Sequence, residues 1–439
     1  MDNITHGLVG LIVAQLTVQL VDESVPAPVD GPRHATPAES RARFASWAAW
    51  VSVLSNNLPD FDVLYAPVTG GKLAYLLHHR GHTHTLPFAL LGGVLIAAVS
   101  WFIVRWRRVP LDLSRWRALL ALALLGPFLH IFLDFGNDYG VHPFWPLDTR
   151  WFYGGAVFIV EPWIWVFTVP PLFVVTRSRW GRAVLALILA AGIGLAFAVS
   201  FVGWGPRLAL CVGALAFSGF CWWQRHRAQR LTRVGTGGLL VLLGSCWMNA
   251  YLAQQHMFAA ARRLGFEPHQ VLAPVLTPSP GNPLCFSAIL VTRRGTDYEL
   301  RTAAVSSWPS LLPAASCRLE PRGFTLPLLP APAPERAAMD ASVSLQQRWG
   351  APLAQLRALG HQNCEVQAFL RFARAPFWLP SGPDAWVIGD LRYDRRPDLE
   401  FAELRVPRAP EHCPDWIPPW TPPIHELFSR GAGVHRTTP

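Results

Sequence analysis

The sequence predicts a polytopic α-helical membrane protein of about eight spans, followed by a C-terminal extracytoplasmic α+β domain. Of 439 residues, 51% are hydrophobic and only 15% are charged, against roughly a quarter charged in soluble proteins. Long apolar runs fill residues 1–255, whereas residues 256–439 are proline-rich, mixed in polarity and without such runs. We therefore expect a membrane domain over 1–255 and a water-exposed domain over 256–439. The apolar content excludes intrinsic disorder.

The membrane helices are predicted from the lengths of the apolar segments. A bilayer core of about 30 Å needs about 20 apolar residues in a helix, with a lower limit near 17. The clearest segments are 86–104, 118–133, 156–175, 183–204, 208–223 and 237–253. Two shorter segments, 6–21 and 44–58, could be spans or half-buried helices. Counting all of them gives the eight predicted spans.

The arginines predict the orientation of these helices. They cluster in the loops at 105–117, 177–182 and 225–233, and cytoplasmic loops carry the excess of positive charge. Even numbers of predicted spans separate the three loops, so all can be cytoplasmic. The N-terminus, the loops at 59–85 and 134–155 and the C-terminal domain then lie outside the cytoplasm. The net charge of +10 is explained by this placement, and we expect no nucleic-acid partner.

The N-terminus itself has no features of a removable signal peptide. It lacks a basic segment and a small-residue cleavage site. We therefore expect the first helix to be retained.

Four short motifs in the first 140 residues concentrate histidine and aspartate on the predicted outer face. They are Asn-Ile-Thr-His at 3–6, Pro-Asp-Phe-Asp at 59–62, His-His-Arg-Gly-His-Thr-His at 78–84, and His-Ile-Phe-Leu-Asp-Phe-Gly-Asn-Asp-Tyr-Gly at 130–140. The third is the most specific, because four of the chain's 15 histidines fall within it and imidazole is the commonest metal ligand. The alternative for this motif is a basic loop.

The other motifs are less specific. His130 and Asp134 stand four residues apart, so they share one helix face and could hold one ion; a capped helix end is the alternative. Asp60 and Asp62 indicate a turn that offers two carboxylates to one side, or else a solvated loop cap. His6 is either a ligand or an interfacial residue.

A set of His and Asp side chains predicts a divalent metal site. It suits zinc, manganese or iron, and it differs from the thiolate-rich set of structural zinc. We expect zinc first and manganese as the alternative, with one or two ions. Such an ion lowers the pKa of bound water toward neutrality, and two ions would suit a phosphoester.

Together with Trp-Pro-Leu at 145–147 and Phe-Ile-Val-Glu-Pro at 158–162, the four motifs resemble the YdjM-like bacterial family of inner-membrane metal-dependent hydrolases. Their order and spacing match over about residues 1–165. The segments 278–284 and 389–393 are similar to the periplasmic tail of longer members. The resemblance implies the following signature residues: His6, Asp60, His79, His84, His130 and Asp134. His82 stands where the family often has an apolar residue, and Glu161 stands where an Asp is common.

The leading functional hypothesis is a metal-dependent hydrolase at the outer surface of a bacterial inner membrane. The predicted metal ligands are His6, His79, His84, His130 and Asp134, and the predicted catalytic residues are Asp60, Arg80 and His82. Arg80 could bind an anionic head group through its planar guanidinium. The expected partners are the bilayer and a lipid-linked or envelope ester, with a phosphoester as one candidate and the oligomeric state left open.

Two other classes of function compete with this hypothesis. One is a non-enzymatic metal-binding or envelope assembly protein with a structural His/Asp cluster. The other is a transporter, which is weaker because the ionisable residues gather at helix ends, whereas a transport path would place them within the spans.

The C-terminal region predicts two β-hairpins and a helix between them. The hairpins pair 286–292 with 298–305 and 386–393 with 399–406, and an amphipathic segment at 337–359 indicates the helix. Its cysteines predict one or two disulfides in an oxidising compartment, with three possible connectivities. These cysteines are Cys285, Cys317, Cys364 and Cys413. The remaining cysteines, Cys211, Cys221 and Cys246, are expected to be core thiols.

Overall fold

The computed structural model describes residues 1–24, 37–64, 71–109, 111–319, 321–396, 399, 401–409 and 413–427. Its N-terminal region is helical. The helices are α1 Asn3–Ser24, α2 Pro37–Asn57, α3 Gly71–His78, α4 Leu86–Trp106, α5 Leu113–Phe135, α6 Pro162–Val175, α7 Arg179–Ala198, α8 Trp204–Trp223 and α9 Ala228–Arg263. Short 3-10 turns at Pro59–Leu64 and His82–His84 lie between them.

Within the described residues, 6 helices are long and apolar enough to cross a membrane, namely α1, α4, α5, α7, α8 and α9. The predicted count of eight is not confirmed. The 21-residue α2 is more polar than these six, with Glu39, Arg41 and Arg43 in its first two turns. The 14-residue α6 is about 21 Å long at 1.5 Å per residue, because the apolar segment 156–175 becomes helical only at Pro162.

Helix α2 nevertheless runs antiparallel to α1. Its first turns lie beside the end of α1, where Arg41 Nε is 2.7 Å from Asp22 Oδ2, and its last turn packs against α5. A Cβ on Gly126 of α5 would lie 2.0 Å from Ser55 Oγ of α2. Only glycine therefore permits this approach, which brings the end of α2 close to the second half of α5.

The C-terminal region contains two antiparallel sheets. One has the order β1-β2-β3-β5-β4 and the other β6-β7-β8. The strands are β1 Val271–Ser279, β2 Asn282–Arg294, β3 Asp297–Ser306, β4 Leu329–Pro330, β5 Val343–Pro352, β6 Pro376–Pro380, β7 Ala385–Asp390 and β8 Glu403–Pro407. Three short helices accompany them, α10 Ala333–Ala337, α11 Leu353–Gln362 and α12 Cys364–Phe369.

Both predicted hairpins form, but the predicted helix at 337–359 is wrong. β2 pairs with β3 and β7 pairs with β8, although Pro397 and Asp398 of the second connection lie outside the described residues. Residues 343–352 form β5 on β3, with Val343 and Leu345 buried. The segment is amphipathic, but pairing with β3 satisfies its backbone, and helix begins only at Leu353.

The disulfides join Cys285 to Cys317 and Cys364 to Cys413, which resolves the three connectivities. Of the free cysteines, Cys221 and Cys246 are buried, as expected for core thiols, and Cys211 is partly exposed.

The helical region and the larger sheet share one hydrophobic core. Helix α9 continues past residue 255 to Arg263, and its Met257 and Ala260 belong to the same buried cluster as Phe286 and Leu290 of β2. Polar contacts reinforce the junction. The backbone N–H of Gly281 donates to Glu161 Oε2 (3.2 Å), and Trp163 Nε1 donates to Gly281 O (3.1 Å). The sheet is therefore packed directly on the helices that carry the histidine motifs.

Candidate metal centre

The four His/Asp motifs meet at one end of the helical region. One ligand atom from each of Asp60, His84, His130 and Asp134 lies within 4.8 Å of the others, and all four residues are buried. We refer to these residues as the four-residue cluster. Asp60 comes from the turn after α2, His84 from the turn before α4, and the other two from the last turns of α5.

The position of His130 depends on the end of α2. Its Nδ1 is 2.6 Å from the carbonyl oxygen of Asn56, one residue before α2 ends. The last four carbonyls of a helix have no partner within it, so this oxygen is available to accept. Because a carbonyl can only accept, Nδ1 of His130 carries the proton and Nε2 presents a lone pair.

His84 presents its Nε2 in the same way. Its Nδ1 is 3.0 Å from Thr83 Oγ1, and the Thr83 hydroxyl donates to Asp62 Oδ2 at 2.9 Å. The hydroxyl oxygen therefore accepts from Nδ1 and leaves Nε2 with a lone pair. Burial lowers the pKa of His84 to about 3, so the ring is neutral.

Hydrogen-bond acceptor atoms of the four-residue cluster therefore face one another. His84 Nε2 is 3.1 Å from both His130 Nε2 and Asp134 Oδ2. Each Nε2 is 3.4 Å from Asp60 Oδ1, which has no hydrogen-bond partner among the described residues. Burying facing lone pairs is costly unless a cation lies between them. Ligands held about 2.0–2.2 Å from a tetrahedral zinc ion lie about 3.3–3.6 Å apart. The cluster therefore fits one divalent ion, and its nitrogen and oxygen donors do not identify which.

Asp62 orients two histidines rather than offering a vacant oxygen. A second group of candidate ligands consists of Asp60, Asp62 and His79. However, Asp62 Oδ1 is 3.0 Å from His79 Nδ1, and its Oδ2 accepts from Arg80 N (2.9 Å) and Thr83 Oγ1 (2.9 Å). A carboxylate behind a histidine fixes the ring and its tautomer in metal sites. His79, with its Nε2 directed away from Asp62, is the accessible member of this group.

His6 lies directly beside the cluster. Its Nε2 is 3.2 Å from Asp134 Oδ1, and its ring stacks on His130 at a centroid distance of 3.7 Å. Asp2 Oδ1 accepts from Thr5 N at 2.9 Å, as an N-cap does, so α1 begins where His6 can reach Asp134. The Met1 amine also contacts Asp134.

Arg80 brings a positive charge to the cluster. Its φ of 58° is uncommon for a residue other than glycine, and three contacts hold it. Its backbone N–H donates to Asp62, its Nε is 3.0 Å from Asp134 Oδ2, and its Nη1 donates to Asn137 Oδ1 at 2.8 Å. Arg80 is almost fully buried, so this charge partly compensates the two carboxylates of the cluster.

His82 occupies a different environment from the other predicted residues. Its ring packs on Trp145 (4.7 Å) and Trp420 (5.0 Å), and none of its atoms joins the candidate ligand groups of the described residues. Its catalytic role stays a prediction.

A segment near the C-terminus covers the histidine loop. Trp420 Nε1 donates to Leu77 O at 2.7 Å, and its ring stacks on His142 at 3.7 Å. A Cβ on Gly81 would lie 2.8 Å from His78 O and 3.1 Å from the Trp420 ring. The glycine of the motif is therefore needed for this packing.

Several supporting residues were not predicted from the sequence. Asn56 acts through its carbonyl, which no side-chain pattern reveals. Asn137 lies inside the fourth motif, so its polar side chain was a usable signal. The buried Arg392 donates to Asp138 O (2.5 Å) and so anchors the loop after α5, but 254 sequence positions separate the two residues, so no short motif contains both.

A cavity of about 750 Å³ reaches the site between the two domains. Its lining includes His79, Arg80 and Asn137 from the motifs and Arg395 and Arg396 from the C-terminal domain. The four-residue cluster is closed, whereas its neighbours His79 and Arg80 face this cavity. A ligand in the cavity would therefore approach the cluster from their side.

Comparisons with known proteins agree with the motifs. Residues 1–205 match the model of a family described as YdjM inner membrane protein. The uncharacterized protein YfhP of Bacillus subtilis (strain 168) is 28% identical over 167 residues, which is 38% of this chain and 43% of YfhP. The chain thus spans less than half the length of this relative. No solved structure matches.

Proposed function

We propose that the protein is a membrane-bound metal-dependent hydrolase, and the match of residues 1–205 to the YdjM inner membrane protein family model supports its membrane location. Its substrate would be a lipid-linked or envelope ester that is cleaved at the extracytoplasmic face. A phosphoester is the first candidate. The observation that carries the proposal is the convergence of four acceptor atoms from Asp60, His84, His130 and Asp134 beside a large cavity.

In the proposed reaction, the metal ion and the side chains have different roles. A divalent ion, zinc or manganese, held by the four-residue cluster would act as a Lewis acid and lower the pKa of a water molecule. Asp62 fixes the rings of His79 and His84. Arg80, beside the cavity, can stabilise negative charge that develops on the ester oxygens.

His79 is placed to handle the proton. Its Nδ1 is held by Asp62, so its Nε2 can take a proton from water and pass it to the leaving oxygen. Overall, one water is consumed, the bond from the phosphorus or acyl carbon to the leaving oxygen breaks, and an acid and an alcohol are released.

Two observations support the extracytoplasmic side. The arginine-rich loops at 105–117, 177–182 and 225–233 lie at the helix ends away from the site, as cytoplasmic loops would. The two disulfides are typical of an oxidising compartment. This orientation requires α2 and α6 to traverse the membrane together with the six apolar helices, and we include that in the proposal.

A structural metal site is the competing function. The specific observation in its favour is that all four cluster residues are buried, as in closed sites that stabilise a fold. In that case the ion would raise stability without supporting turnover.

The test begins with metal content measured by elemental mass spectrometry on detergent-purified protein. We expect one zinc or manganese ion per chain in the wild type, and a loss of most of it in His84→Ala. His142→Ala is the matched control, because it removes another buried histidine outside the cluster and should keep the metal. Absence of metal after reconstitution with zinc and manganese would contradict the proposed site.

Turnover is then measured on phosphate esters and acyl esters of long-chain alcohols. Metal-dependent hydrolysis that His84→Ala abolishes and His142→Ala retains would support the enzyme. A metal that stabilises the protein without any metal-dependent hydrolysis would contradict the hydrolase and support the structural site.

A further inference from the structure

The cavity beside the metal centre has two chemically different ends. It runs from His79 and Arg80, through the interface with the C-terminal domain, to residues 195–202 at the end of α7. Helix α7 is one of the six membrane-crossing candidates. The cavity therefore connects the site to the edge of the membrane region, and its volume of about 750 Å³ lies within the usual range for ligand sites, about 300–1,000 Å³.

Part of the cavity lining is rich in hydrogen-bond donors. It includes three arginines, Arg80 beside the metal centre and Arg395 and Arg396 of the C-terminal domain. Asn137 is 2% exposed, and within the part of the chain that the structure describes its Nδ2 has no hydrogen-bond partner, although its Oδ1 accepts from Arg80 and from the backbone. The acid in the lining, Asp138, accepts from Thr277 Oγ1 at 2.6 Å. This donor-rich surface is complementary to an anion with several oxygens, such as a phosphate.

The other end of the cavity is apolar. Residues 158–160, with the sequence Phe-Ile-Val, face it together with Leu195 and Phe201. Ile159 and Leu195 are exposed large hydrophobic residues. An exposed apolar wall that continues onto a membrane-crossing helix is suited to a hydrocarbon chain, because such a chain can move from the bilayer onto it without crossing water.

We propose that this cavity binds a phosphate-bearing lipid, with its head group between Arg80 and the Arg395–Arg396 pair and its hydrocarbon chain along residues 158–160 and Leu195. The inference rests on the proposed function, because it names the substrate class of that site. It also assigns a role to the C-terminal domain, whose Arg395 and Arg396 complete the head-group site and determine specificity for the phosphate.

The two ends together exclude simpler ligands. A free anion would leave the apolar wall unused, and a neutral lipid would bring no negative charge to the arginines that line the cavity. Only an amphiphile with an anionic head satisfies both ends at once.

The test measures binding of a fluorescent phosphatidic acid to the detergent-purified full chain. The matched ligand is the same fluorescent diacylglycerol without its phosphate, and inorganic phosphate is the competitor. We expect phosphatidic acid to bind at least about tenfold more tightly than the diacylglycerol, since only the phosphate can accept charge-assisted hydrogen bonds from the arginines. Inorganic phosphate should compete only at far higher concentration.

Variants test which part of the cavity binds the head group and which part binds the hydrocarbon chain. The double variant Arg395→Ala/Arg396→Ala should lose about tenfold or more in affinity for phosphatidic acid while its diacylglycerol binding stays constant. The control Arg405→Ala/Arg408→Ala removes two exposed arginines of the same domain and should bind like the wild type. Ile159→Asn should lower the affinity for both phosphatidic acid and diacylglycerol.

Three results would overturn the proposal. Equal binding of phosphatidic acid and diacylglycerol would show that the head group is not recognised. Equal competition by inorganic phosphate would show an anion site without a lipid component. An Arg395→Ala/Arg396→Ala protein that binds like the Arg405→Ala/Arg408→Ala control would remove the C-terminal domain from recognition.

The outcome is separable from that of the proposed hydrolase. Binding is measured in His84→Ala as well as in the wild type, since this variant is designed to lack turnover while the cavity arginines remain. Specific lipid binding without hydrolysis in the wild type would retain the lipid site and reject the enzyme. Metal-dependent hydrolysis that is indifferent to Arg395 and Arg396 would retain the enzyme and reject this lipid site.

Discussion

Two buried polar clusters in this protein differ in how their hydrogen bonds balance. In the C-terminal domain, the fully buried Asp390 and Arg392 form a pair. Arg392 Nε and Nη2 donate to Asp390 Oδ2 at 3.0 and 2.7 Å, and Arg374 N donates to the same oxygen at 2.8 Å. The proximity of Arg392 holds the pKa of Asp390 below its usual value despite burial. Every charge here has an opposite partner.

The four-residue cluster lacks this balance. Two neutral imidazoles and two carboxylates direct lone pairs at each other over 3.1–3.4 Å, and no donor from the described residues reaches Asp60 Oδ1. The comparison teaches that burial and charge alone do not mark a functional site. A balanced cluster stabilises the fold by itself, whereas an unbalanced one requires something from outside the chain.

The largest expected effect comes from breaking the balanced pair. Arg392→Ala leaves the Asp390 carboxylate buried without its partner, which costs about 3–5 kcal/mol. We expect a marked fall in the thermal midpoint of the purified protein, measured by scanning fluorimetry in detergent. The exposed Arg405→Ala, a control in the same domain, should change it little. An unchanged midpoint in Arg392→Ala would contradict a structural role for the pair.

A smaller effect in the opposite direction is expected at the unbalanced cluster. Asp60→Asn replaces a carboxylate by an amide whose N–H can donate to the Nε2 lone pairs of His84 and His130. Metal affinity, measured by competition with a chelating dye, should fall more than about 100-fold, since even outer-sphere changes cost 10–100-fold. With chelator present, the thermal midpoint should equal or exceed that of the wild type.

The control for Asp60→Asn is Asp148→Asn, which removes a carboxylate that pairs with the exposed Arg150. Its metal affinity should be unchanged. A metal-free Asp60→Asn protein that is clearly destabilised would mean that the cluster is balanced after all, like Asp390 and Arg392.

The smallest expected effect is a pH dependence at the junction of the two domains. Burial raises the pKa of Glu161 to about 7, against an ordinary value of 4.5. Because the folded state holds this proton more tightly than the unfolded state, the stabilisation is complete below the ordinary pKa and is lost as the pH rises through about 7. We expect the thermal midpoint to fall by a few degrees between about pH 5 and pH 8.5.

Glu161→Gln tests this prediction because it removes the titration. The slope of the midpoint against pH should become flatter, whatever the change in absolute stability. A variant with the wild-type slope would show that another group is responsible for the dependence.

Most residues of the candidate site could be predicted from the sequence, but the role of each residue could not. The motifs place His84, His130, Asp134 and Asp60 together because each lies at a helix end or in a turn on the same face. The sequence cannot show that Asp60 and Asp62 have different roles. Asp62 orients His79 and His84, whereas Asp60 faces the ligand atoms of His84 and His130, and both sets of contacts depend on the loop conformation. His82 sits within the same motif as His84, yet its ring points to tryptophans.

The fold, too, could be predicted from the sequence only in part. Each of the eight apolar segments contains helix, but only six of the helices in the described residues are long and apolar enough to cross a membrane, so the predicted count of eight is not confirmed. Apolar length overestimated α6, since apolar composition does not reveal where a helix begins. In the C-terminal domain, the local pattern at 343–352 favoured a helix, and only pairing with β3 decided for a strand.

The sequence by itself determined the membrane character, the ligand chemistry and the motifs that deliver it, because composition and spacing are local properties. The tertiary structure alone decided which lone pairs face each other, how Asn56 and Asp62 set the tautomers, which cysteines pair, and that Arg395 and Arg396 share a cavity with Arg80. These relations join residues far apart in the chain. They depend on how helices and sheets pack, which no single stretch of sequence encodes.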